Sequence, residues 1–330
     1  MIRNLDIDRL AGLRIGVVGD LMLDRFIRGG ASRLSPEAPV PVVAVDAESE
    51  HPGGAANVAD NLVGLGVRTS LFGVIGADRD ADHLRALLDR RSIDHSGLLV
   101  DATRPTTVKI RVIADGQHIV RADRESIAPL DDEHAARLIA SVRRALPELD
   151  GIILQDYNKG LFTSRVITEI LAEANARNVP TFVDPKRDHF FDFRGATLFK
   201  PNRKEVEDAL GIRLSDPSSR QAAVNTVKDR LACANVVMTL GADGMIYRAG
   251  DADPIAVPTH ASQVADVSGA GDTVIAMLAA VVCAAGSIDE AVHLANIAAG
   301  IVCGRVGTVA IDRELLLEHF TEHAARIDAT

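Results

Sequence analysis

Short apolar runs alternate with helical patterns through most of this chain, and no other feature limits its possible folds so tightly. Ile15-Gly16-Val17-Val18, Leu71-Phe72-Gly73-Val74-Ile75, Gly151-Ile152-Ile153-Leu154, Thr181-Phe182-Val183 and Val236-Val237-Met238 are apolar stretches of strand length. Such runs suit strands buried on both faces, as in a parallel sheet covered by helices. Between and after them lie helical patterns over 55–65, 80–91, 131–146, 163–177, 218–232, 273–285 and 289–303. The alternation predicts an α/β fold with a doubly wound, mostly parallel sheet flanked by helices. Ligands in such folds sit beyond the carboxyl ends of the strands. Asp20, Asp156, Asp184 and Gly241 each follow an apolar run, so they are expected to meet at one crevice.

Two excursions interrupt the pattern, at about 25–50 and 103–125. The first carries Ser35-Pro36-Glu37-Ala38-Pro39-Val40-Pro41, and prolines at that density keep a strand at an edge or outside the main sheet. In the second, Val108, Ile110 and Val112 alternate with Lys109 and Arg111, and Asp115-Gly116 is a hairpin turn signal. A two-residue turn there would place Lys109, Arg111, Ile113, His118 and Val120 on one face. Val108, Ile110, Val112, Ile119 and Arg121 would occupy the other. The expectation is a small antiparallel β-sheet lid with a basic face and an apolar face, attached to a single domain spanning 1–330. Such a sheet is not stable alone, so its apolar face predicts a homodimer formed through two lids.

With 47% hydrophobic and 25% charged residues, the chain can bury a large core. A net charge of −10 argues against nonspecific binding to nucleic acid or to a membrane surface. The three cysteines show no metal-finger spacing and read as reduced core residues. No apolar run reaches membrane-span length, and the first residues lack a signal-peptide pattern. A cytoplasmic location is expected.

The stretch Asp266-Val267-Ser268-Gly269-Ala270-Gly271-Asp272 leads into an uncharged helical run. A helix N-terminus attracts anions, and glycines allow close backbone approach. Asp272 would stand beside such an anion as a general base for phosphoryl transfer to a hydroxyl. The same heptad also fits a glycine-rich turn with an Asp helix cap. No P-loop and no dinucleotide-binding glycine fingerprint occurs in the chain.

Taken with Gly53-Gly54-Ala55-Ala56-Asn57-Val58-Ala59 and the later Gly66 and Gly76, this heptad resembles the paired signatures of the ribokinase-like (PfkB) carbohydrate kinases. The resemblance covers nearly the whole chain. It implies ATP as phosphoryl donor, Asp272 as the base, and an anion hole at Gly269, Ala270 and Gly271. Asn202 and Glu205 are similar to the family's Asn-x-x-Glu element, which implies nucleotide contact with Arg203 and Lys204 alongside, and Mg²⁺ reached from Glu205 through water. A helix start with Glu in its first turn is the plainer account of those residues. Lys186, Thr239, Gly241, Gly244 and Asn296 are implied on the nucleotide side. A monovalent cation such as K⁺ near Asp266 and Gly307 follows from the same resemblance.

Further stretches, among them Asp156-Tyr157-Asn158-Lys159-Gly160 and Asp184-Pro185-Lys186, are similar to one subgroup, the heptose 7-phosphate kinases. Those enzymes phosphorylate the anomeric hydroxyl of D-glycero-β-D-manno-heptose 7-phosphate on the route to ADP-heptose and lipopolysaccharide. The implied sugar site comprises Asp20, Asp24, Gly53, Gly54, Asn57, Asp156 and Lys159, with Lys109 and Arg111 as a cationic clamp for the sugar's phosphate. Met22 stands where many ribokinases carry a polar residue. Because the sequence ends at Thr330, the adenylyltransferase step of that pathway is expected on a separate polypeptide. A kinase for another sugar, or a non-catalytic sugar-phosphate sensor, would share much of this pattern.

Overall fold

The computed structural model describes residues 7–259, 266–305, 307, 309–311, 313, 314 and 316–319. The first half contains β1 (Arg14–Gly19), β2 (Leu21–Leu34), β3 (Pro41–Gly54), α1 (Ala55–Gly64), β4 (Arg68–Ile75), α2 (Arg79–Arg90), β5 (Asp94–Val100), β6 (Val108–Ala114), β7 (Gln117–Arg124) and α3 (Asp132–Ala145). Then come β8 (Gly151–Gln155), α4 (Ser164–Ala176), β9 (Thr181–Asp184), β10 (Leu198–Phe199), α5 (Arg203–Leu210) and α6 (Pro217–Leu231). The chain continues through β11 (Asn235–Thr239), β12 (Met245–Ala249), β13 (Ile255–Val257), α7 (Ala270–Cys283) and α8 (Ile288–Cys303).

The expected apolar runs form a nine-stranded sheet in the order β13-β12-β11-β10-β9-β8-β1-β4-β5. Strand alternation divides the core between its two faces. Ile15, Val17, Ile153, Phe182 and Val237 pack with α1, α7 and α8 on one side. Val18, Ile152, Leu154, Val183, Val236 and Met238 pack with α3, α4 and α6 on the other. Pairing is parallel from β5 to β11, and β12 and β13 add an antiparallel edge. Neither of those two strands was expected from the sequence, nor was β5.

From β1 the chain winds outward in both directions, so the topological switch point lies between β1 and β8. Their register, Val18 with Leu154 and Gly19 with Gln155, delivers Asp20 and Asp156 side by side at the carboxyl edge. Ligand crevices in such sheets form at this place.

The two excursions join in a four-stranded sheet of order β3-β2-β6-β7. The proline-rich segment leads into β3, which is an edge strand as expected. The sheet is mixed rather than antiparallel, because β2 and β6 run parallel. The Asp115-Gly116 turn forms with φ 50° and 79°, but a register shift follows between Val112 and Ile113. Ile119 is bulged out, and a one-residue shift inverts every side chain beyond it. Arg121 therefore lies opposite Arg111, and Val120 opposite Val112, the reverse of the expected faces. Lys109, Arg111, Ile113 and Arg121 share a face with Asp24, Phe26 and Arg28.

Gly160 shows how tightly the loop after β8 is built. Its φ is 84°, and a Cβ there would stand 2.0 Å from the Ala128 carbonyl oxygen, whose segment is tied by Leu130 N–H donating to Gly160 O at 2.8 Å. Gly160→Ala should combine left-handed strain with a backbone clash and cost about 2 kcal/mol or more. A urea denaturation midpoint equal to that of the wild type would show that the loop relaxes freely.

Candidate active site

Six of the eight helices α1 to α8 start on a residue whose side chain accepts a first-turn N–H: Asp78, Asp131, Thr163, Asn202, Asp216 and Ser287. The other two, α1 and α7, start on Gly54 and Gly269 with no side-chain cap. Uncapped first-turn amides stay available to a ligand, and these two helices meet at Asp272.

Gly53 and Gly54 bring α1 into place. A Cβ on Gly53 would lie 2.6 Å from Asp24 Oδ2, and one on Gly54, at φ 58°, would lie 2.5 Å from the Asp20 carbonyl oxygen. Only glycine lets the β3–α1 turn lie against the segment after β1. Helix α1 then runs along α7 through two buried polar rungs. Asn57 Nδ2 donates to Asp272 Oδ2 at 2.7 Å, and Thr273 Oγ1 donates to Asn61 Oδ1 at 2.8 Å.

The Asp272 side chain is 4% exposed. Its Oδ1 accepts from Tyr157 OH at 2.7 Å and from Gln155 Nε2 at 3.1 Å. Burial drives its carboxyl up to about 6, against the lowering effect of Asn57 and Tyr157, with the charge of Asp184 adding to the rise. Asp184 forms a buried ion pair with Lys200 at 2.9 Å. Gln155 donates from the same Nε2 to Asp184 Oδ2 at 3.1 Å, while its own Oε1 has no partner. Two carboxylates claim the amide nitrogen, so the amide oxygen faces a region without donors.

Asp20 accepts the N–H groups of Tyr157 and Lys159 at 2.8 and 3.1 Å, which folds the 156–160 loop over the end of β1. Burial raises its carboxyl all the same. Asp156 is 1% exposed and accepts Asn158 N–H at 2.7 Å, with its second oxygen unpartnered. Burial and the neighbouring charge of Asp20 lift Asp156 to about 7. Asp24 pairs with Arg111 at 2.6 Å, and Arg111 and Arg28 both stack on Phe26. Lys109 reaches Asp123 and Glu125, and Lys159 reaches the same Glu125 at 2.8 Å. This lid face overhangs the start of α7. Arg28 lies beside Gly307, and the charge of His118 is felt at Asp266.

On the far side of Asp272, Lys186 stacks on the Tyr157 ring, 5.2 Å from its centroid, and pairs with Glu205. The charges of Asp184 and Glu205 outweigh desolvation and hold the Lys186 ammonium above its usual range. Asn202 and Glu205 form a complete capping box on α5, the plainer account of that pair. Arg203 anchors the 240–244 turn through Leu240 O and Asp243, and Thr239 bridges to Asn202. Gly241 and Gly244 take φ of 62° and 87°.

Three of the expected residues stand apart or are engaged elsewhere. Lys204 is exposed and pairs with Asp208 one turn on, because its position on α5 faces away from Glu205. Asn296 is buried and donates to Pro258 O at 2.6 Å, securing the end of β13. Asp266 accepts the N–H groups of Ser268 and Gly307; burial would raise it, but those amides hold it below the usual carboxylate range. Gln155, Tyr157 and Lys200 were not singled out from sequence. Their signal was a polar residue closing an otherwise apolar run, as at Gln155 and Lys200.

The arrangement suits a polyphosphate on the side of α7 that carries Lys186 and Lys200. The glycine-started helix offers amides, and Lys200 Nζ lies 3.7 Å from where a Gly271 Cβ would stand. Among the described residues no group of three or more His, Cys, Asp or Glu could cage a metal. Glu205, already holding Lys186 and the Asn202 amide, fits an Mg²⁺ carried mainly by phosphate oxygens and waters.

A family model described as pfkB family carbohydrate kinase matches residues 14–314. A curated protein of Rhodospirillum rubrum named "Bifunctional protein HldE" is 42% identical over 320 residues, covering 96% of this chain and 64% of the relative. The protein of the same name from Syntrophotalea carbinolica is 39% identical, covering 98% of this chain and 66% of its own length. The chain thus spans about two thirds of the curated relatives it matches. Among solved structures, Escherichia coli phosphofructokinase-2 in complex with potassium superposes with a TM-score of 0.77 at 18% identity, covering 94% of this chain and 99% of that one. Arabidopsis thaliana ribokinase complexed with ribose and ATP gives 0.72 at 19%, covering 93% and 98%. These likenesses establish the ribokinase-like fold. Because the relatives are named bifunctional, they lend no support to a separate polypeptide for a second activity.

A carboxyl that binds its proton more tightly in the folded chain than in the unfolded one lowers stability as pH rises between the two values. Asp272 and Asp156 should each do so, from about pH 4 up to about 6 and about 7 respectively. Asp272→Asn and Asp156→Asn should therefore gain on the wild type by roughly 3 and roughly 4 kcal/mol respectively between about pH 4 and pH 8. Urea unfolding across that range measures it. A variant-minus-wild-type difference independent of pH would contradict the upward shifts.

Proposed function

The chain belongs to the pfkB family of carbohydrate kinases, and we propose that its acceptor is the anomeric hydroxyl of D-glycero-β-D-manno-heptose 7-phosphate, giving the 1,7-bisphosphate. The observation that carries the catalytic part is the buried Asp272 carboxyl at the foot of the uncapped α7, lifted toward neutrality and held by three donors. For the sugar, support comes from the 156–160 loop and the Asp184-Pro185-Lys186 turn, which resemble the heptose 7-phosphate kinases and lie against Asp272. The 42% identity to a relative named HldE points the same way.

Asp272 takes the proton of the acceptor hydroxyl as that oxygen bonds to the γ-phosphorus and the bond to ADP breaks. The amides at Gly269, Ala270 and Gly271 receive the charge that gathers on the phosphoryl oxygens. Lys186, Asn202, Arg203, Glu205, Thr239, Gly241 and Gly244 serve the nucleotide, and Glu205 would hold, through water, an Mg²⁺ that would neutralise its phosphates. Asp20, Asp24, Asn57 and Asp156 address sugar hydroxyls, and Lys109, Arg111 and Lys159 address the distal phosphate. One kinase domain with the small sheet as lid accounts for the whole arrangement. The exposed Leu34, Val45, Ile119 and Val120 of that sheet favour a homodimer closed lid to lid. A monovalent cation beside Asp266 and Gly307 completes the proposal. No helix among the described residues is long and apolar enough to cross a membrane, in keeping with work in the cytoplasm on ADP-heptose and lipopolysaccharide precursors.

An ATP-coupled assay should show turnover of heptose 7-phosphate well above ribose, fructose and hexose phosphates. Turnover of unphosphorylated ribose with none of the heptose phosphate would reject the sugar assignment. Asp272→Asn should lower kcat by roughly 10²–10⁴-fold with nucleotide affinity retained, and near-normal turnover would remove it as the base. Lys109→Ala should raise the KM for the sugar phosphate while leaving kcat and the KM for ATP nearly unchanged, because a remote phosphate contact contributes uniform binding. An unchanged sugar KM would take Lys109 out of the clamp.

A further inference from the structure

The proton inventory around Asp272 distinguishes its two oxygens. An ionised carboxylate offers about four lone-pair positions, two on each oxygen. Oδ1 has both filled, by Tyr157 OH at 2.7 Å and Gln155 Nε2 at 3.1 Å. Oδ2 has one filled, by Asn57 Nδ2 at 2.7 Å. The orientation of Gln155 is not free, since turning its amide would set Oε1 against both Asp184 and Asp272. Tyr157 is equally constrained. Its backbone N–H is held by Asp20, and Lys186 covers its ring at 5.2 Å.

We propose that Tyr157 is a positioning residue which, with Gln155, saturates Oδ1 of Asp272 and leaves Oδ2 as the atom that accepts the proton of the acceptor hydroxyl. The inference rests on Asp272 being the base. In the transfer step the hydroxyl O–H breaks, its proton passes to Oδ2, and its oxygen bonds to the γ-phosphorus as the bond to ADP breaks. Tyr157 keeps its own proton throughout, because burial and the charges of Asp272 and Asp184 hold the phenol well above its ordinary range.

Lys186 connects this device to the nucleotide side. The same ammonium that stacks on Tyr157 pairs with Glu205, so the ring lies between the nucleotide-side charges and the base. The charged groups facing Asp272 are Asp184 and Lys200 from the ends of β9 and β10, and Lys186 from the turn after β9. Asp24 of β2 acts on the phenol itself. A donor removed from the ionised carboxylate favours its protonated form, so the loss of Tyr157 OH has a defined sign.

Tyr157→Phe should move the acid limb of the kcat profile upward by roughly one pH unit. At neutral pH it should lower kcat about 10-fold, with the KM for ATP within about twofold. A second readout needs no turnover. The chain has two tyrosines and no tryptophan, so in Tyr247→Phe the tyrosine band, to the red of phenylalanine absorption, belongs to Tyr157 alone. That band should show a step as Asp272 titrates near pH 6, and the step should vanish when Asp272→Asn is added. An inactive Asp272→Asn alongside an unmoved Tyr157→Phe acid limb, or an absent absorbance step, would overturn the positioning role. An active Asp272→Asn would instead overturn the base assignment on which it rests. Should Tyr157→Phe fail to fold, the absorbance step decides alone.

Discussion

The structure is organised around one buried charge. A carboxyl withdrawn from water is tolerated only where donors meet it, and the donors to Asp272 come from α1 and from the end of β8. That requirement fixes α1 against α7 and brings the switch point of the sheet beneath both helices. It also explains why two glycines turn the chain into α1, since no Cβ could stand between that turn and the segment after β1. The donors do not fully offset desolvation, and the remainder appears as the upward shift of the carboxyl. A carboxyl poised near neutrality and a helix left uncapped are therefore two consequences of one local arrangement.

Much of this was legible in the sequence because it lies in local pattern. The alternation of apolar runs with helical patterns pointed to the doubly wound sheet, and the glycines before Asn57 marked where backbone must approach closely. Other parts depend on relations the linear order hides. Gln155 and Tyr157 reach Asp272 across more than a hundred residues, and nothing in Gln155-Asp156-Tyr157 announces that contact. The bulge at Ile119 left no signature, since either register pairs acceptable side chains, yet it decides which face Arg121 and Val120 occupy. Strands β12 and β13 were missed because they are short: the buried run of β12 is Met245-Ile246-Tyr247, and β13 spans three residues.

Asn202 and Glu205 show that a structural explanation does not displace a chemical one. As a capping box they satisfy backbone donors of α5 and the turn before it. The same geometry holds the Glu205 carboxylate rigidly beside Lys186, at the carboxyl edge of the sheet. A side chain fixed by backbone bonds on one oxygen presents the other in a set direction, which preorganisation for a polyphosphate requires. Lys186 and Glu205 thus carry their charge on a scaffold built for stability.

The proposed sugar side follows a different logic. Its cations are already paired: Arg111 with Asp24, Lys109 with Asp123 and Glu125, and Lys159 with that same Glu125. On a chain of net charge −10, these carboxylates keep the lid face from being an indiscriminate anion trap. Under the proposed clamp, an incoming phosphate dianion would displace Glu125 from two lysines at once, bringing more charge to the same two partners. A single carboxylate on a free sugar acid gains nothing by that exchange. On the proposed reading, discrimination would rest on displacement rather than on vacancy, and a clamp built of occupied ion pairs would still select for a phosphate.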